Sequence, residues 1–291
     1  MIEVKNLTKS YGKVPALEDF NLKIPDGSIF GLVGINGAGK STLLRLLAGV
    51  LRQDAGEILI DGEKIYNNEK KKKDILFLPD EPFYALGVNG EHVANLYKTF
   101  YNFDDNVFKD CVSAYGLSLT TPIRTFSKGM KRRLFVSLAF ASQPKYLLLD
   151  EVFDGLDPAA RLVFKRGLID LIARTKGTAV IASHSLRELE DICDGYGLID
   201  GKKVSSSGVL ADALEKLFKF QIAFGKEVSR AELGFECLSF ESSGKIIKIV
   251  FQGNKEENLE KLSKLDPLIV EEMAVDFEEF FISGTQGRLR L

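Results

Sequence analysis

The chain has 291 residues, 45% of them hydrophobic, with 39 lysines and arginines against 41 acids and a formal net charge of −2. That composition supports a sizeable core and excludes global disorder, and it lacks the basic excess that a nucleic-acid surface needs. Cys111, Cys193 and Cys237 form no CxxC pair and no even framework, so free thiols in a reducing compartment are expected.

The N-terminal stretch MIEVKNLTKSYGK has no apolar h-region, so it does not read as a signal peptide. Further along, no run of about eighteen apolar residues occurs, which predicts no bilayer span and, by exclusion, a cytoplasmic location. Residues 1–65 alternate β-type runs (Ile2-Glu3-Val4, Phe20 to Ile24, Glu57 to Ile60) with turns at Pro25-Asp26-Gly27 and Asp61-Gly62. Ser28 to Val33 reads as a buried strand. Ser41 to Leu51 reads as a helix with Leu43, Leu44, Leu47 and Val50 facing inward. The run Lys70 to Lys73 is either a solvated loop before a strand at Ile75 or a basic patch for anionic lipid head groups. Residues 82–140 are predicted to be mainly helical. Lys145 to Leu149 and Thr178 to Ala182 read as two more buried strands, and Tyr196 to Ile199 as a further one. Strands alternating with helices predict an α/β fold with a largely parallel sheet.

After about Gly208 the texture changes to a small α+β unit, for which a ferredoxin-like arrangement is one option. Its strands are expected at Lys219 to Phe224, Cys237 to Phe240, Ile246 to Phe251 and Leu268 to Val275, with a hairpin at Ser242-Ser243-Gly244 and a helix over Glu256 to Leu265. Ile222, Phe224, Ile247, Val250, Leu259, Leu262 and Ile269 would form its core, and Phe277, Phe280 and Phe281 a final short helix. The expected division is therefore 1–208 and 209–291.

Two motifs carry chemistry. Gly34-Ile35-Asn36-Gly37-Ala38-Gly39-Lys40-Ser41 fits GxxxxGK[ST] between a strand and a helix. Its glycines let successive backbone N–H groups turn into one concavity at a helix N-terminus, a nest for phosphate. Lys40 would reach the terminal phosphates and Ser41 would offer a hydroxyl to Mg²⁺. Leu147-Leu148-Leu149-Asp150-Glu151 ends a buried strand in two carboxylates. That is either an exposed strand end or, beside a phosphate loop, the place where an open α/β sheet keeps its ligand chemistry. On the second reading Asp150 holds the metal shell and Glu151 polarises the attacking water.

Between and beyond these lie Phe126-Ser127-Lys128-Gly129-Met130, Asp154-Gly155-Leu156-Asp157 and Ala182-Ser183-His184. Ser127 is placed to N-cap a helix whose positive end would face a phosphate. With the phosphate loop and the carboxylate pair, this order of motifs over residues 1–208 resembles the ATP-binding cassette (ABC) ATPases. The resemblance implies a P-loop cassette with a mixed sheet core, an N-terminal antiparallel β subdomain and a helical subdomain at about 82–140. It implies ATP and Mg²⁺, with Asn36, Gly37, Ala38, Gly39, Lys40, Ser41 and Thr42 around the phosphates and Ser41, Asp150 and Asp80 around the metal. It implies that Tyr11 stacks on adenine, otherwise being a turn aromatic. It also implies that Ser127 and Gly129 bind the γ-phosphate of ATP held by a second cassette, identical or a paralogue. Asp157 would shape that interface, and His184, with Glu151 and Asp80, would serve hydrolysis.

There are departures. Asp80, in Leu78-Pro79-Asp80-Glu81-Pro82, stands where the family has glutamine; Lys128 replaces a signature glycine and Val152 a proline. A carboxylate can accept from metal-bound water but cannot donate a hydrogen bond. Lys128 either lends charge to a phosphate or is solvated. The Ser-Lys-Gly-Met-Lys run with an α+β tail resembles single-cassette subunits of transporters, often exporters, that serve a separate transmembrane permease. That implies a peripheral position on the inner face of the membrane, with the permease on the helical region near Asp80 and no nucleic-acid partner. The rival is a soluble ABC ATPase of a ribosomal or nucleic-acid machine, but such relatives carry two cassettes or a long coiled coil, and no sustained heptads occur here. A binding module without turnover is opposed by Glu151 and His184.

Overall fold

The computed structural model describes residues 1–284. They form two compact units, one from Met1 to Ser207 and one from Gly208 onward.

The first unit opens with strands β1 (Ile2–Tyr11), β2 (Val14–Ile24) and β3 (Ile29–Val33), followed by helix α1 (Lys40–Leu47). Next come β4 (Ala55–Ile60), β5 (Glu63–Lys64), α2 (Glu69–Lys72) and β6 (Ile75–Leu78). A helical segment holds α3 (Gly90–Phe100), α4 (Asp105–Ala114) and α5 (Lys128–Ala141). The chain then returns through β7 (Tyr146–Asp150), α6 (Pro158–Thr175), β8 (Thr178–Ser183), α7 (Leu186–Glu190), β9 (Gly195–Asp200) and β10 (Lys203–Val209).

β2-β1-β4-β5 make an antiparallel sheet, and β10-β9-β3-β8-β7-β6 a second sheet in which β9, β3, β8, β7 and β6 run parallel. Every residue of β3, β7 and β8 is buried, as a parallel strand covered on both faces requires. Phe20, Phe30, Leu43, Leu44, Leu47 and Tyr146 lie in one core that joins the two sheets through α1.

Two local expectations change. α1 stops at Leu47 because Gly49 turns left-handed at φ +64°, so Val50 lies beyond the helix and is exposed. The lysine run is a short helix rather than a solvated loop, and Lys71 is buried. Its ammonium donates to Asp61 at 2.6 Å, and Asp61 also receives Lys145 at 2.8 Å and the N-terminal amine at 2.9 Å. This cluster ties the turn after β4 to the start of β7. His92 forms a capping box with Asn89 at the start of α3, a structural role.

The second unit holds α8 (Leu210–Leu214), β11 (Leu217–Phe224), β12 (Ser239–Ser243), β13 (Ile246–Gln252), α9 (Lys255–Ser263), β14 (Pro267–Met273) and α10 (Phe277–Gly284). Its antiparallel sheet has the order β12-β13-β11-β14, with a short 3₁₀ turn at Arg230–Leu233 where a ferredoxin-like fold would place its first helix. Phe220, Ile222, Phe224, Ile247, Ile249 and Phe251 face α9 and form its core. Ile269 does not join them. It is opposite Ala223 on the other face and 63% exposed, because a one-residue step along a strand reverses the face. The hairpin turns at Gly244-Lys245, and Gly244 takes φ +61°.

Candidate nucleotide-hydrolysis site

The site grows from adjacent strand ends. β3 and β7 flank β8 in parallel register, with Val33 opposite Ser183 and Asp150 opposite Ala182. The carboxyl ends of all three strands therefore open on one edge, and the residues just past them meet.

After β3 the chain curls through Gly34 to Gly39 and enters α1. Gly39 takes φ +107°, and a Cβ there would lie 2.6 Å from the Ala16 carbonyl oxygen; at Gly34 it would lie 2.8 Å from that of Ile199. Neither position accepts a side chain, so the backbone itself lines the concavity. Ile35, Asn36 and Gly37 form its exposed lip and Ala38 is buried beneath it. Lys40 is 5% exposed, and its Nζ donates to the Gly34 carbonyl at 2.6 Å. Burial pushes this ammonium below its ordinary value, while Glu151, 3.7 Å away, pulls it back.

Ser41 Oγ donates to Asp150 Oδ1 at 2.9 Å. Burial raises Asp150 above the usual carboxylate range against that hydrogen bond, and Glu151 adds to the rise. A hydroxyl and a buried carboxylate side by side are a hard, all-oxygen donor set, which suits Mg²⁺.

Glu151 has φ +45°, strained for a residue with a side chain. Its Oε2 lies 2.8 Å from His184 Nδ1 and accepts from the His184 backbone N–H at 3.3 Å. Lys40, Glu151 and His184 thus come together from three strand ends, as the sequence placed them in chemistry though not in space.

Ser127 N-caps α5, accepting from Met130 N–H at 3.2 Å, and its backbone is extended. Gly129 packs on the Asp154-Gly155 segment so closely that a Cβ would meet the Gly155 carbonyl oxygen at 2.4 Å. Asp157 caps α6 through Ala160 N–H and pairs with Arg133, so its side chain is committed within its own chain. Tyr11 ends β1 about half exposed, with Lys9 over its ring at 6.0 Å.

Asp80 lies near enough to Asp150 for its charge to add to the rise of that carboxyl, but its bonded partners are elsewhere. Its partners are on α5: Arg132 Nη2 donates to Oδ1 while the same guanidinium donates to the Pro79 carbonyl at 3.1 Å, and Lys128 forms an ion pair with Oδ1 at 3.5 Å. Neither Ser41 nor Asp150 is among them. Sequence reasoning also passed over Asp154, whose carboxylate converges with the Glu151 carboxylate and the His184 imidazole within 4.8 Å, and over Arg132, which is buried. Nothing in the basic run from Lys128 to Arg133 says which cation turns inward.

A glycine-lined phosphate nest, a buried lysine and a strand-end carboxylate pair on a parallel sheet define a P-loop nucleotide-binding cassette. The model of the ABC transporter family matches residues 17–154. The ABC transporter ATP-binding protein YtrB of Bacillus subtilis is 31% identical over 291 residues, the whole of both chains. The bacitracin transport ATP-binding protein BcrA of Bacillus licheniformis is 30% identical, covering 99% of this chain and 98% of that one. A solved ATP-binding subunit of an ABC transporter superposes with a TM-score of 0.68 at 26% identity, over 74% of this chain and 92% of that one. The chain belongs to the ATP-binding subunits of ABC transporters. It binds ATP and hydrolyses it to power transport. Among the described residues, no helix is long and apolar enough to cross a membrane.

Proposed function

We propose that this subunit works as one of two cassettes that close on ATP, each completing the other's site, and drives a separate permease from the inner face of the membrane. The observation that carries the reading is the junction of Lys40, Glu151 and His184 at one edge of the sheet.

The roles follow from the groups present. Tyr11 stacks on the adenine. The N–H groups from Asn36 to Thr42 cradle the phosphates, and Lys40 exchanges the Gly34 carbonyl for them. Ser41 and Asp150 hold Mg²⁺, which when bound neutralises charge on the phosphate oxygens. Glu151 takes the proton of the attacking water while His184 orients the carboxylate and meets the γ-phosphate. Ser127 and Gly129 approach the γ-phosphate held by the other cassette. Asp80, tied to α5, carries motion between the site and the helical segment; a place in the metal shell would require it to leave Arg132.

The permease surface is assigned to the helical segment. Phe83 and Leu86, in the loop after Asp80, are each 92% exposed. Leu96 and Phe100 of α3 stand exposed beside a cavity of about 430 Å³ that Lys72, Lys73, Tyr97 and Tyr101 help line. Apolar residues beside Lys72 and Lys73, with Glu69 as the one acid in the lining, suit an amphipathic segment that carries acidic groups. Replacing Leu96 and Phe100 together by aspartate should abolish co-purification with the permease and leave basal phosphate release within about twofold, since neither residue is among those of the site. Retained co-purification would move the docking surface elsewhere.

The unit from Gly208 onward is proposed to be dispensable for nucleotide binding, because every motif of the site lies before it. A chain ended after Val209 should bind ATP with an affinity within about twofold of the full chain. A folded truncation that bound no nucleotide would place part of the site in the tail.

A further inference from the structure

Two departures from the family pattern, Asp80 and Lys128, meet in space. Lys128 Nζ lies 3.5 Å from Asp80 Oδ1 and 4.0 Å from Asp154 Oδ2. The same Asp80 oxygen receives Arg132, one helical turn further along α5 and buried. Asp154 in turn converges with Glu151 and His184. One line of charged groups therefore runs from the end of β6, through the first residue of α5, to the hydrolysis pair.

The geometry points to Lys128 as a positioning residue for ATP hydrolysis: its ammonium clamps Asp80 and Asp154 to the start of α5 and balances the charge of Asp154 beside Glu151. This rests on the reading of Glu151 and His184 as the hydrolysis pair. The backbone supports the clamp, because Gly129 already holds Gly155 in contact and Lys128 Cγ would lie 3.6 Å from a Cβ at Gly155. The ammonium thus only has to fix the direction of two carboxylates whose backbones are in place. All three side chains are 40–58% exposed, so the clamp contributes little to folding. Its effect falls on orientation at the site, where small displacements cost rate. Without the lysine, the Asp80 and Asp154 carboxylates lose a shared counter-charge, and Asp154 is free to turn toward Glu151 or away from it.

The test is steady-state phosphate release by the full chain. Lys128→Met should lower kcat about fivefold with KM for ATP unchanged, because the ammonium touches carboxylates and not the nucleotide. Lys128→Arg should recover most of the loss, and adding Asp154→Asn to Lys128→Met should recover part of it by removing the unbalanced charge. A purely structural lysine would give none of these rescues. An unchanged kcat in Lys128→Met overturns the clamp. So does a raised KM, or loss of the ATP-dependent dimer when Lys128→Met is added to Glu151→Gln, since either places the ammonium on nucleotide. If Glu151→Gln itself kept normal turnover, the hydrolysis-pair reading would fail first, whatever Lys128 did.

Discussion

Replacing Glu151 by glutamine is expected to lower ATP turnover about a hundredfold or more while leaving ATP binding intact. The amide is nearly isosteric and can still accept from the His184 backbone N–H that now reaches Oε2 at 3.3 Å. What it loses is the basic oxygen 2.8 Å from His184 Nδ1 and the charge 3.7 Å from Lys40. Binding rests on the loop from Gly34 to Lys40, which the change does not touch. Nucleotide that binds without being hydrolysed should hold two cassettes together, so the variant should run as a dimer in ATP and as a monomer in ADP on size exclusion. Adding Ser127→Arg should abolish that dimer, because the new side chain fills the face where Ser127 would meet the other chain's γ-phosphate. Arginine also removes the cap on Met130 N–H, at a cost of about 1 kcal/mol, so a melting curve must show the double variant folded. Near-normal hydrolysis by Glu151→Gln would remove Glu151 from the role of base.

Gly129→Ala should lower turnover at least about tenfold, an effect out of scale with one methyl group. The added Cβ would lie 2.4 Å from the Gly155 carbonyl oxygen. The clash is with a backbone oxygen and not with the end of a flexible side chain, so the chain itself has to move. The start of α5 and the Asp154-Gly155 segment must therefore separate, which moves Ser127, Lys128 and Asp154 together. Overpacking of this kind costs about 1–3 kcal/mol of stability, so the melting temperature should fall measurably. Affinity of the monomer for ATP should stay within about twofold, because the phosphate loop lies on other elements. Normal turnover with normal stability would show that the two segments can part without consequence.

Much of the nucleotide site was legible because it is local. The glycine loop, its lysine and its serine are contiguous, and the backbone conformation they need is encoded by their own lack of side chains. Asp150-Glu151 was legible as the end of an apolar run, and Ser127 as a residue that caps a helix. The order of these segments was enough to reveal the family, and strand–helix alternation was enough to predict a parallel sheet. In the tail, alternation found the strands β11, β13 and β14 to within a few residues.

What only the tertiary structure decided were the meetings between segments distant in sequence. Glu151 and His184 touch because β7 and β8 are parallel and in register, and register is set by the packing of whole strands. The family resemblance implies a place for Asp80 at the metal; that it also pairs with Arg132 and Lys128 follows only from α5 turning those cations toward the end of β6. Lys71 is buried in a run of four lysines since one of its helix faces meets Asp61. Ile269 is exposed although it is apolar, since its strand lies at the edge of the sheet and its side chain on the face opposite the α9-side core. Each of these depends on which face an element turns to a neighbour, and that is chosen by the free energy of the assembled core rather than by any residue's own propensity.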